Sequence, residues 1–146
     1  MKKIIVIVFL IIGACQTNSQ TSNESVTNIS STLINYSAPF IVAKFQTDTI
    51  VYLEEPLGKD VKITYDTFFK SLVIGYTNEE DDWETMKLKH IRDLEGDYSR
   101  VKETYAGTMM TVRNQLDKLG MLDIMTDVNE NNQRGVFTIV DATKDD

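Results

Sequence analysis

Apolar runs only a few residues long, spaced about 8–14 residues apart and separated by turn-forming breaks, constrain this chain more than any other feature. That rhythm belongs to strands joined by hairpins, because helices need longer periodic stretches. Phe40 to Phe45 and Thr49 to Leu53 are β-prone, and Glu54-Glu55-Pro56-Leu57-Gly58 then breaks the chain. Val61, Ile63 and Tyr65 alternate with Lys62 and Thr64, the pattern of a half-buried strand. Phe69 to Tyr76 follows, with Leu72, Val73 and Ile74 apolar on both faces, as in a central strand. Asn78 to Asp82 is a polar turn. Trp83 to Ile91 then puts Met86, Leu88 and His90 on one face, and Thr85, Lys87 and Lys89 on the other. After a turn at Glu95-Gly96-Asp97, the last strands are Met121 to Val128 and Gly135 to Val140, split by the polar loop Asn129–Arg134. Lys144-Asp145-Asp146 should fray.

Residues 98–119 carry a competing signal. Tyr98, Val101, Tyr105, Met109, Val112, Leu116 and Leu119 step at helical spacing, with Asp97 placed as an N-cap and Gly120 as the residue after the C-cap. Against a helix stand Thr104, Thr108, Thr111 and Val112, weak helix formers, and Ala106-Gly107 at the centre. Two strands turning at Ala106-Gly107 fit the β-branched content better. The expected fold is therefore mainly β: an antiparallel meander of about eight strands, closed as a small barrel or curled as a strongly bent sheet. The alternative is α+β with a helix at about 98–119. In strand number and spacing the chain resembles the up-and-down architecture of lipocalin-like envelope proteins. It has none of the sequence signatures of true lipocalins, so no ligand follows from the likeness.

The N-terminus carries a different message. Lys2 and Lys3 are followed by an apolar run from Ile4 to Ile12, then Gly13, Ala14 and Cys15. A positive start, a short apolar stretch and small residues are the layout of a secretory signal. The run is about half the ~20 residues a spanning helix needs. Ile12-Gly13-Ala14-Cys15 resembles the lipobox of bacterial lipoproteins. That resemblance covers residues 1–15. It implies cleavage before Cys15, a diacylglycerol on its sulfur and a further acyl chain, such as palmitate, on the new N-terminus. Asp in the position after the cysteine commonly marks inner-membrane retention in two-membrane bacteria. Gln16 therefore implies the outer membrane or a periplasm-facing site.

The organisation expected is a signal peptide at 1–14, a lipidated Cys15 with a flexible tether to residue 31, and one globular domain at 32–146. Ser, Thr, Asn and Gln fill most of residues 16–31, too little apolar surface for a core. Cys15 is the one cysteine, so the domain must be stable by packing alone. The whole chain has a net charge of −7, and losing Lys2 and Lys3 with the signal makes it −9. That balance argues against nucleic acid and against electrostatic docking on anionic lipid; the membrane partner would be reached through the acyl chains on Cys15.

Candidate chemistry is sparse. The one histidine, His90, falls on an apolar strand face, where a satisfied core or rim histidine is the expectation. One histidine and no free thiol leave no ordinary zinc site. Asp127-Val128-Asn129-Glu130-Asn131 opens like a calcium-binding loop, but Asn132 replaces the glycine at its sixth position and Thr138 the glutamate at its twelfth. Glu79-Glu80-Asp81-Asp82 reads as a solvated turn. Trp83, at its lip, is the one aromatic suited to stacking on a sugar, although core packing is the expectation. Nucleophile and phosphate-loop motifs are absent, and no cofactor is implied. These features favour a lipid-anchored, non-catalytic binding module of the cell envelope. A carrier of a small apolar ligand and a carboxylate-based hydrolase are the alternatives.

Overall fold

The computed structural model describes residues 32–146, so the expected signal peptide, lipidated Cys15 and tether lie outside the described residues. Alternation in the apolar runs produces nine strands: β1 (Leu33–Gln46), β2 (Val51–Asp66), β3 (Ser71–Thr77), β4 (Trp83–Asp93), β5 (Tyr98–Glu103), β6 (Met109–Gln115), β7 (Met121–Thr126), β8 (Arg134–Ile139) and β9 (Thr143–Lys144). A one-turn helix, α1 (Leu116–Leu119), links β6 to β7. Each strand from β1 to β8 pairs antiparallel with the next, and β8 returns to β1 with Ile41 opposite Ile139 and Gln46 opposite Arg134. The sheet thus closes as an eight-stranded up-and-down barrel, which leaves few free edges.

Inward positions repeat at every second residue, as a pleated strand requires. Ile63 on β2, Ile74 on β3, Leu88 on β4, Val101 on β5, Val112 on β6 and Ile124 on β7 are all buried. Tyr36, Ile41, Leu122 and Ile139 complete a filled centre. Burial of that size suffices for a domain of this length without covalent staples.

The helix alternative at 98–119 does not form. Its residues make β5, β6 and only the single turn α1. The chain reverses at Ala106-Gly107, where Gly107 has a φ of 71° and donates its N–H to the Glu103 carbonyl at 3.1 Å. The helically spaced residues do not share one face: Val101, Val112 and Leu116 are buried, whereas Tyr98, Tyr105 and Leu119 are exposed.

Further expectations need correction. Glu54–Gly58 does not interrupt the chain; β2 runs through it, and the Pro–Gly signal appears as a register shift between Ile41 opposite Gly58 and Val42 opposite Pro56. Pro56 is tolerated because this part of β2 has no β3 partner; their pairing starts at Lys59. The strand expected from Phe69 begins at Ser71, since Asp66 accepts the N–H groups of Phe68 and Phe69 at 2.9 Å each and holds both in a turn. Trp83 is not a core residue. It shares the outward set of β4 with Thr85 and Lys87, and its ring lies over Gly75, where a Cβ would come within 2.1 Å of it. The C-terminus is stitched rather than frayed: Tyr36 faces Lys144 and Ser37 faces Thr143, and the Asp145 N–H donates to the Asn35 carbonyl at 2.9 Å.

Candidate functional site

Strand direction gives the barrel two unlike poles. At the proximal pole the chain enters at Leu33, and the β2–β3, β4–β5 and β6–β7 connections gather. At the distal pole lie the β1–β2, β3–β4, β5–β6 and β7–β8 turns.

The interior changes character toward the proximal pole. One step beyond the filled centre the inward positions become Tyr65 on β2, His90 on β4, Ser99 on β5 and Asn114 on β6. They line a cavity of about 450 Å³ whose floor includes Leu72 and Val112. Lys70, Asp93, Asp97, Asp117 and Lys118 surround its mouth. His90 Nε2 lies 3.0 Å from Asp93 Oδ1, and Lys70 Nζ donates to the other Asp93 oxygen at 2.5 Å. Lys118 and Gln115 donate to the two oxygens of Asp97 at 2.7 and 3.1 Å. From the core, the Tyr36 hydroxyl donates to Asp117 Oδ1 at 2.5 Å.

These partners set the electrostatics. Lys70 first, then His90, holds the Asp93 carboxyl below the usual carboxylate range. Lys118, then Gln115, does the same for Asp97. Burial, reinforced by the hydrogen bond to Asp117, pushes the Tyr36 phenol far up, and burial raises Tyr65. Charged groups at the mouth are thus committed to one another. An ionised, cation-paired carboxylate is a poor general acid, which needs a raised pKa.

His90 sits on the same inner face as Met86 and Leu88, at the rim where the core gives way to the cavity. Asp93, its partner, was not legible in the sequence. Positions three apart on a regular strand face opposite ways, and here the register shifts between His90 and Arg92. Asp127, from the calcium-like segment, makes a two-point ion pair with Arg100, both contacts 2.6 Å. Asn129 accepts the Asn131 and Gln133 N–H groups at 2.9 Å each, closing the loop on itself. Among the described residues no group of three or more His, Cys, Asp or Glu is placed to hold a metal ion. In the acidic run, the Asn78 side chain accepts the N–H groups of Glu80 and Asp82, and Asp81 pairs with Lys59 at 2.9 Å.

The distal pole carries the second feature. Ile50, Val51, Tyr52 and Leu53 at the β1–β2 hairpin are each more than half exposed, and the Phe45 and Tyr52 rings lie 6.3 Å apart on the same hairpin. Thr47 shapes the turn: its N–H donates to the Ile50 carbonyl at 2.9 Å and its hydroxyl accepts the Ile50 N–H at 3.1 Å. Arg134 on β8 pairs with Asp48 and ties the hairpin to the barrel wall. Four consecutive exposed apolar residues on a braced hairpin were visible in the sequence as a β-prone run, but their exposure was not.

Comparison with protein-family models, with curated proteins and with solved structures gives no match for this chain. The structure defines its class by architecture alone, as a small antiparallel β-barrel.

Proposed function

We propose that this protein is a lipid-anchored component of the bacterial cell envelope, acylated on Cys15, whose barrel is a non-catalytic binding module. One observation carries the binding assignment: the barrel centre is filled, while the β1–β2 hairpin leaves Ile50, Val51, Tyr52 and Leu53 in water. A contiguous apolar patch on an otherwise well-packed small domain costs solubility unless a partner covers it. The support for anchoring is the order Lys2-Lys3, apolar run, Gly13-Ala14-Cys15 at the N-terminus. Ile41, Ile74, Leu88 and Ile124 occupy the barrel centre, which weighs against an interior ligand of the lipocalin kind. The open cavity at the proximal pole has a polar mouth, unlike an apolar ligand's pocket. The paired, ionised state of Asp93 and Asp97 likewise weighs against a carboxylate hydrolase.

The test uses the full chain with a photo-crosslinking side chain in place of Tyr52, in its own membranes. A discrete adduct is expected. Val51→Lys combined with Leu53→Lys should abolish it while leaving the melting curve and the membrane fraction unchanged. An adduct that persists in the double variant removes the hairpin as the binding surface. Cys15→Ser should release the protein from membranes, since stable anchoring takes two acyl chains or an equivalent pair of signals.

A further inference from the structure

Turns at the proximal pole expose apolar side chains of their own. Phe68 and Phe69 stand on the β2–β3 turn with their rings edge to face, 4.9 Å apart, and Phe69 is 64% exposed. Leu119 on α1 is 61% exposed and Leu33, the first residue of β1, 58%. The turns that carry them are braced. Asp66 accepts the amides of both phenylalanines, and Lys70, which follows them, is tied to Asp93. Lys118, beside Leu119, is tied to Asp97.

The chain preceding the barrel leaves from this same pole. Leu33 lies opposite Asp66 in the β1–β2 ladder, and the Thr32 carbonyl accepts both the N–H and the hydroxyl of Thr67, each at 3.1 Å. Residues 16–31 therefore join Cys15 to Thr32, whose carbonyl is hydrogen-bonded to Thr67 beside the phenylalanines. A random coil of that length would have a mean reach of roughly 20–25 Å. Acyl chains on Cys15 would hold this pole, and not the hairpin pole, within reach of the bilayer.

We propose that the proximal pole docks on the membrane surface, with Phe68, Phe69 and Leu119 inserted at the lipid–water interface. The inference rests on the anchoring proposed above. Aromatic and aliphatic tips gain by leaving water for the headgroup–acyl boundary, and a rigid turn loses little entropy in doing so. Attraction to anionic lipid is not required, since Lys70 and Lys118 are already paired. In this orientation the cavity around His90 opens toward the headgroups and the β1–β2 hairpin points away, free for a partner.

The molecule supplies its own control. Trp83, the one tryptophan, begins β4 at the distal pole, about 30 Å along the strand from Asp93 at ~3.3 Å per residue. The acylated full chain is reconstituted into phosphatidylcholine vesicles with brominated acyl chains, which quench indole emission on contact. Phe69→Trp and, separately, Leu119→Trp are made in a Trp83→Phe background. Both new reporters should shift to the blue and lose most of their emission, while Trp83 in the unaltered protein keeps its own. Vesicle-bound protein in which neither reporter is quenched overturns the docking and leaves the anchoring intact. Quenching of Trp83 overturns it too, because the barrel would then lie on its side. Acylated protein that fails to float with the vesicles overturns the anchoring and the docking together.

Discussion

At the scale of single residues, the side chains that matter most join the apolar interior to a polar rim. Tyr36 is 2% exposed, yet its hydroxyl reaches Asp117 at the mouth of the proximal cavity. Tyr36→Phe should cost about 0.5–1.5 kcal/mol, the net worth of a hydrogen bond whose partner can return to water. The same residue sets an alkaline limit. Its phenol is raised above the ordinary value of 10.0 by burial and by Asp117, so the folded state holds the proton more tightly than the unfolded chain. That stability is fully present below about pH 10 and is lost as pH rises from there toward the raised value. Urea titrations should therefore show stability falling as the pH is raised above about 10. The fall should be shallower in Tyr36→Phe; equal falls in the two proteins would remove Tyr36 as its cause. Residue identity predicted none of this, because Asp117 lies 81 positions away. His90 illustrates the same limit: its strand face was legible from Met86 and Leu88, but its Asp93 partner depends on an irregular register.

At the scale of elements, period-two alternation located most of the barrel's strands closely, because each inward set is nearly continuous in apolar residues. Misreadings fell where local chemistry is shared between elements. Pro56 and Gly58 read as a break because sequence cannot show that this half of β2 lacks a second neighbour. Gly120 was legible as the residue that ends a helix, and it does end one, although α1 is a single turn. Its φ of 64° is left-handed, and a Cβ there would come within 2.6 Å of the Ala142 carbonyl oxygen. Ala142 also donates its N–H to the Gly120 carbonyl at 2.9 Å, so the two segments cannot simply separate. Gly120→Ala should therefore cost about 2–4 kcal/mol, combining backbone strain with overpacking. Gly96 offers the comparison, with a φ of 68° and no atom within 4 Å of the point where a Cβ would stand. Gly96→Ala should cost about 1–2 kcal/mol, the backbone strain alone. Chemical denaturation of both variants measures the difference, and equal losses would show that the Ala142 contact yields without cost.

At the scale of the whole molecule, closure decides how the domain folds. Ile41 must find Ile139, and Tyr36 must find Lys144, before β1 has its full set of neighbours. Pairings so distant in sequence place the barrel among the slower two-state folders, in the range of milliseconds to seconds. They also make its unfolding cooperative, since none of β1–β8 can leave without opening the ring. Every strand pairing among the described residues lies between Leu33 and Lys144, and residues 16–31 hold few apolar side chains to add to the core. A chain beginning at Thr32 should therefore melt as one beginning at Gln16 does, with stabilities within about 0.5 kcal/mol, the range of changes that touch no packed feature. Thr32 must be kept, because its carbonyl closes the β2–β3 turn through Thr67. Refolding rates should also agree, since the pairings that close the ring, β1 with β2 and with β8, lie within the retained residues. A loss of more than about 2 kcal/mol would mean that residues 16–31 pack against the barrel. The proximal pole, where Leu33, Phe68 and Phe69 are exposed, is then the surface that they would cover in place of the membrane.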